Sequence, residues 1–420
     1  MWERMKKEPP NSQPSMTAPP SCVWLPFTQM RGFEPSARQF VRGQGPVLYD
    51  GKGKALFDAV SSIWTIVHGH CHPKIVEAIA RQAALLDHAT LLGASNPVAE
   101  KLAERLCTLT SLDRVFFASD GASAIEAALK MALQYWQNLG QPQRTRFVHL
   151  RDAYHGDTAG AMSVSDLALF KSRFKSIAFE TADYERADSV LADDDVAAVI
   201  VEPVVQAAAG MRIVARERYR GLRNIEPLLI VDEIATGFGR TGTMFACESL
   251  DLAPDVICVG KGVTGGALAL SATLVRSHVY EAFLGEQTDL VHFFHGHSYA
   301  GNPIACAAAL ASLELFEREG TLAQAAVLAH ATERRLDALR GHPLVREVRQ
   351  AGTMTGIELR SEAIRRDDAA TAGWRVANGL YERGQFTRPI GDVVQLVPPL
   401  SSTPAQIDAF FDALEAELAA

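Results

Sequence analysis

No run of apolar residues in this chain is long enough to span a bilayer, so no membrane helix is expected. Positive charge is not in surplus: 41 Lys and Arg stand against 49 Asp and Glu in 420 residues, a formal net charge of -8. That balance argues against nucleic acid or an anionic membrane surface as the main partner. Cysteine is sparse. Cys22, Cys71, Cys107, Cys247, Cys258 and Cys306 are scattered without a C-x-x-C pair, which indicates neither a disulfide framework nor a zinc knuckle and fits a reducing cytoplasm. Residues 1–21, rich in Pro, Ser, Lys and Glu, lack the apolar stretch of a secretion signal and read as a flexible arm. A nicotinamide enzyme would want G-x-G-x-x-G after an early strand, and the start of the α/β region has none.

What is present is a large apolar fraction, 48% of the residues, enough to bury the core of one or two globular domains. Val47 to Asp50 and Ala55 to Asp58, separated by Gly51-Lys52-Gly53, have the pattern of a hairpin. From about Pro73 to Glu319 helical periodicity alternates with short β-branched runs, the pattern of an α/β domain around a mostly parallel sheet flanked by helices. The runs Ala198 to Val201, Leu228 to Val231 and Val256 to Val259 are nearly all Val, Ile and Leu, as strands covered on both faces require. Beyond Gly320 a helix rich in Ala and Leu, the Gly352 to Leu359 run and a final amphipathic helix from Pro404 suggest a smaller α+β domain. The expected organisation is an arm over 1–21, a large cofactor-binding domain over 61–319, and a small domain assembled from 22–60 and 320–420.

Each aliphatic run is followed at once by polar or glycine-rich sequence, which puts Glu202, Asp232 and Lys261 at the carboxyl ends of strands, where open α/β sheets bind ligands. Lys261 is flanked by Gly260 and Gly262 and followed by Thr264-Gly265-Gly266, an opening that leaves its amine facing a cleft. Val115 to Ala124 reads as strand, turn and helix start with Gly121 and small residues at the turn. Free amides and the positive end of the helix dipole there make a phosphate site. Pyridoxal phosphate needs an amine for its aldehyde, an anion to keep its pyridine nitrogen protonated, and a phosphate cradle; Lys261, Asp232 and the Gly121 turn supply all three. Tyr154, after the expected strand Phe147 to Leu150, offers an aromatic face for the ring. His68-Gly69-His70-Cys71-His72 has the composition of a metal cluster, but residues so close in sequence point to different sides, and no metal is expected.

These residues resemble the class III aminotransferases, fold type I of the pyridoxal-phosphate enzymes. The most specific run is Leu229 to Gly242, LIVDEIATGFGRTG, with the lysine segment twenty-odd residues on, and the likeness extends over about residues 22 to 415. Met131 to Trp136, Tyr154 to Thr158, Phe245 to Glu248 and the tryptophan motif Trp24 to Met30 mark one subgroup within the class. The resemblance implies that Lys261 is the Schiff-base lysine, Asp232 the pyridine partner, Tyr154 the stacking aromatic and a member of the catalytic set, Gly121 and Ala122 part of the cradle, and Glu202 a cofactor support. It implies that Ser298, with Gly296 beside it, reaches the site from the other subunit of a homodimer. Arg388 then binds a substrate carboxylate, with Trp64, Ile63, Phe27, Tyr154 and Gly296 lining the substrate pocket. The partners implied are a small-molecule amino donor and a keto acceptor. Three positions depart from the family pattern: Ala122 lacks the usual hydroxyl, Ile63 stands for a tryptophan, and Phe27 for a tyrosine.

Overall fold

A computed structural model describes residues 22–30, 38–184, 188–364 and 371–420. Residues 1–21, the expected arm, lie outside the described residues. A seven-stranded sheet forms the centre, in the order Arg114–Ala118, Ser271–Val275, Val256–Val259, Leu228–Asp232, Val196–Val201, Arg146–His149, Thr181–Asp183. Only Ser271–Val275 runs antiparallel to its neighbours; the other pairings are parallel. The four central strands from Ser271–Val275 to Val196–Val201 are buried at every residue. Helices cover the sheet, and one core cluster joins Ile125, Ala128, Ala132 and Trp136 of the helix Gly121–Asn138 to Ala198, Ile200 and Ile230. The opposite faces of those strands, through Val199, Val201, Val231 and Ile257, join a second cluster with Leu102, Leu106, Leu313 and Phe316 of other helices. Continuous aliphatic sequence is what burial on both faces demands.

Register sets the site. Val231 pairs with Val201, so Asp232 ends its strand beside the point where Glu202 leaves the next one, and Asp232 also pairs with Cys258, three residues before Lys261. Three chain segments therefore deliver ionisable side chains to one sheet edge.

The N-terminal hairpin forms as its sequence predicts, with strands Val47–Asp50 and Ala55–Asp58. Asp50 Oδ1 accepts from the Lys52 and Lys54 amides at 2.9 Å each, and Gly53 takes φ 83°, which glycine adopts without strain. Ala55–Asp58 also pairs in parallel with the C-terminal strand Gln385–Phe386. A three-stranded antiparallel sheet, Val345–Ala351, Met354–Leu359 and Val393–Leu396, shares a core with Phe57, with the helix Thr321–Leu339 and with the helix Pro404–Leu418. That last helix starts with Pro404 at its first position and a capping box of Thr403 and Gln406, which satisfies otherwise orphaned amides. No helix among the described residues is long and apolar enough to cross a membrane.

Candidate active site

Beyond the sheet edge lies a cavity of about 660 Å³ lined by Glu202, Asp232 and Lys261 from the strand ends, Tyr154, the helix-start residues Gly121 and Ala122, and Trp64. Seven of the residues expected from the sequence thus meet around one space. Asp232 is buried beneath it. Its Oδ1 accepts from the Ile234 amide at 3.0 Å and its Oδ2 lies 2.7 Å from His155 Nδ1. The His155 side chain is fully buried and its Nε2 has no partner among the described residues. Sequence reasoning passed over His155, because its partner is 77 residues away.

Glu202 is buried, and its Oε2 accepts from the Tyr154 amide at 3.0 Å, tying two site segments together. Burial and the Asp232 charge hold its carboxyl well above the usual range, against the opposing pull of the Tyr154 amide and Lys261. Burial pulls the Lys261 amine below its ordinary value while the Asp232 and Glu202 charges act in the opposite sense. Lys261 takes φ 39°, a left-handed conformation rare for a side-chain-bearing residue. Tyr154 Oη donates to Asp157 Oδ2 at 2.8 Å, and burial followed by the Asp157 carboxylate raises the phenol's pKa.

Trp64 reaches the cavity through backbone that its sequence does not announce. Ser61, Ser62, Ile63 and Trp64 have φ of 49°, 47°, 62° and 66°, one left-handed turn without a glycine. Such a run costs roughly 1–2 kcal/mol per residue and persists only where surroundings enforce it. Asp58 does so by accepting from the Ser62 amide at 3.0 Å and Ser62 Oγ at 2.8 Å, while Ser61 Oγ donates to the Val397 carbonyl at 2.6 Å. The buried Arg240 guanidinium donates to the carbonyls of Trp64, Ile66 and Pro398 at 3.2, 2.8 and 2.8 Å. The turn sets the Trp64 ring 4.9 Å from Lys261 Nζ. Neither Arg240, which stands within the most specific sequence run, nor the turn was marked by residue type.

The remaining expected residues lie off the cavity. Phe27 and Ile63 are exposed, as are Gly296 and Ser298, and Arg388 is half-buried. Aromatic contacts lead outward from Tyr154: its ring lies 5.3 Å from Phe170, Phe170 lies 5.5 Å from Phe27, and the Arg388 guanidinium sits 6.0 Å from the Phe27 ring. Arg388 has no carboxylate partner among the described residues. The Ser298 segment is anchored near the cavity by His297, whose ring nitrogen is 2.9 Å from Ser119 Oγ. Ser123, next to Ala122, donates its Oγ to Asp120 Oδ2 at 2.8 Å. The histidine run beside this region separates by partner: His68 packs on Phe316, His70 binds Asp58 and His72 binds Glu319.

With this geometry in view, the class III aminotransferase family pattern matches residues 29–418. The chain belongs to the class III aminotransferases. It is 41% identical to the adenosylmethionine-8-amino-7-oxononanoate aminotransferase of Aquifex aeolicus, over 93% of this chain and 94% of that one. The solved structure of the protein of that name from Methanocaldococcus jannaschii has 39% identity and a TM-score of 0.88, covering 94% of this chain and 97% of that one. An amine transaminase from an uncultivated Pseudomonas species, solved with pyridoxal phosphate bound, has 31% identity and a TM-score of 0.88, covering 95% of this chain and 98% of that one. The fold is that of the fold type I transaminases, and the cofactor of this aminotransferase is pyridoxal phosphate.

The residues present fit that group. The Gly121 and Ala122 amides, at the start of an eighteen-residue helix, have no partner among the described residues and both residues line the cavity. A buried carboxylate, a deprotonation-prone lysine and an aromatic ring complete the donor set. Gly121 is required for a further reason, since a Cβ there would lie 2.8 Å from Ile234 Cγ2.

Proposed function

We propose that this aminotransferase moves an amino group from S-adenosyl-L-methionine to 8-amino-7-oxononanoate, giving 7,8-diaminononanoate in biotin biosynthesis. Lys261, Asp232 and Glu202 meeting at one sheet edge carry the chemistry; relatives bearing that reaction in their names, 38–41% identical over most of the chain, support the substrates.

When bound, pyridoxal phosphate supplies an aldehyde that condenses with amines and a ring that takes up the electron pair left on the substrate carbon. Lys261 holds that aldehyde at rest. The same Nζ would take the proton from the donor carbon and deliver it to the cofactor's former aldehyde carbon on the far side of the nitrogen, a task suited to an amine whose pKa burial has lowered. Asp232, held by the Ile234 amide and His155, keeps the ring nitrogen protonated. The Gly121 and Ala122 amides would hold the phosphate, with Tyr154 against the ring and Glu202 as a further support at the sheet edge. Arg388 pairs with the acceptor carboxylate, and Trp64, Ile63 and Phe27 shape the substrate pocket. With the keto acceptor the same lysine would move the proton the opposite way, so the two substrates would alternate at one site.

We further infer a homodimer in which Ser298 of each subunit reaches the other's phosphate, with Gly296 beside it. Exposed Leu92, Leu290, Phe294 and Tyr299 around that loop support this reading, because apolar exposure of this kind marks interfaces. A cytoplasmic location follows from the same reading, in keeping with the six free cysteines.

The test is the half-reaction. Purified protein loaded with pyridoxal phosphate is mixed with S-adenosyl-L-methionine, with lysine, and with simple ω-amines separately, and the conversion of its absorbance is followed. Conversion by S-adenosyl-L-methionine, then recovery with 8-amino-7-oxononanoate, is expected. Conversion by lysine alone changes the donor, and conversion only by ω-amines and recovery with other keto acids sinks the biotin assignment.

A further inference from the structure

Trp64 and Arg388 are 324 positions apart, each a few residues beyond one of the paired strands Ala55–Asp58 and Gln385–Phe386, and one buried side chain from another sheet touches both segments. Gln395 belongs to the strand Val393–Leu396, opposite Gly356, and is 1% exposed. Its Oε1 accepts from Trp64 Nε1 at 2.9 Å, and its Nε2 donates to the Arg388 carbonyl at 2.5 Å. The orientation of the amide is unambiguous. An indole N–H is only a donor and a backbone carbonyl only an acceptor, so exchanging the amide's oxygen and nitrogen would lose both bonds. The strand fixes the same segment twice more: Thr387 Oγ1 donates to the Gln395 carbonyl at 2.7 Å, and Ile390 and Val393 exchange backbone bonds of 3.0 and 2.9 Å.

We propose that Gln395 is a positioning residue that fixes the Trp64 indole and the Arg388 backbone relative to each other, and so sets where a carboxylate-bearing substrate lies against Lys261. The proposal rests on the substrate roles assigned above to Trp64 and Arg388. Gln395 lines no part of the cavity and acts through the two residues it holds. The Trp64 turn is held in left-handed backbone by Asp58 and Arg240, and those bonds fix its main chain only. The indole N–H is bonded to Gln395, which sets the plane of the ring that meets Lys261 Nζ. Loss of this acceptor would leave a buried donor unpaired and free the ring to turn.

Two variants of the pyridoxal-loaded enzyme test this. Gln395→Leu removes both bonds and is expected to raise KM for 8-amino-7-oxononanoate about tenfold with kcat within about twofold, and to shift the Trp64 indole N–H resonance, identified by its loss in Trp64→Phe. Gln395→Glu keeps an acceptor for the indole and opposes a carboxylate to the Arg388 carbonyl. It is expected to raise the same KM by a similar factor while the indole resonance stays in place, which keeps the proposal testable where Gln395→Leu does not fold. In a Trp64→Phe background Gln395→Leu should add less than it does alone, since half of its contacts are already gone. Parent-like KM in Gln395→Glu, or an unmoved indole resonance with parent KM in Gln395→Leu, overturns the proposal. Failure of the parent to accept 8-amino-7-oxononanoate is a separate result, against the substrate assignment; KM is then read with whichever keto acid recovers the enzyme, and the indole resonance needs no substrate.

Discussion

The two halves of the site are built differently. Glu202, Asp232 and Lys261 leave neighbouring buried strands, so their positions follow from sheet register and a core that admits little adjustment. Phe27, Ile63, Gly296, Ser298 and Arg388 stand on turns and loops outside the cavity, and most are exposed in the single chain. Glu202, Asp232 and Lys261 thus meet within a single chain, while the second group lies outside the cavity. Trp64 is the junction: it belongs to the second half by role and to the first by construction, since Asp58, Arg240 and Gln395 lock it. A rigid scaffold under adaptable loops lets one reaction serve different amines.

Variants that strike each half should separate cleanly. Lys261→Ala is expected to reduce turnover at least about 10³-fold and to abolish the absorbance change on adding donor, as loss of a positioned proton carrier requires; normal single-turnover rates would end the assignment. Asp232→Asn should cost up to about 10²-fold in kcat through loss of a buried charge-assisted contact, read by steady-state kinetics with both substrates. Arg388→Ala should raise KM for the carboxylate-bearing acceptor about thirtyfold and leave kcat and carboxylate-free amines nearly unchanged, since an exposed-half residue contributes to binding alone. An equal fall in kcat would erase the division.

The smallest effect concerns the scaffold under the lysine loop. His68 is buried against Phe316, a Cβ at Gly265 would meet its ring, and burial pulls its pKa from 6.5 down to about 3. The folded protein therefore keeps His68 neutral where the unfolded chain takes a proton. Its contribution is whole above about pH 6.5 and declines as pH falls toward 3, by at most about 1.4 kcal/mol per unit. Melting temperatures at pH 7 and pH 5 should differ less in His68→Asn than in the parent, although the variant is weaker at pH 7; equal differences would show that another group governs the acid limb.

The legibility of these parts follows the same division. The strands Leu228–Asp232 and Val256–Val259 were evident because two-faced burial leaves no room for alternation, and glycines on either side exposed Lys261 as more than a surface lysine. Ser271–Val275, the antiparallel strand, was hidden by its small and hydroxylated residues, whose Ser271 and Thr273 hydroxyls donate to the Asp120 and Ala124 carbonyls. His155 resembled any histidine after a tyrosine until Asp232 was seen beside it. No residue in Ser61–Trp64 signals left-handed backbone, so only the partners that enforce it reveal it.

By itself the sequence determined the fold class, the strand ends that carry the chemistry, the cofactor and the family, because periodicity, glycine placement and a long specific run are local properties of the chain. The tertiary structure alone decided which side chains meet: His155 under Asp232, and Gln395 between Trp64 and Arg388. Hydrogen bonds to distant partners are set by packing and register, and residue type does not encode them.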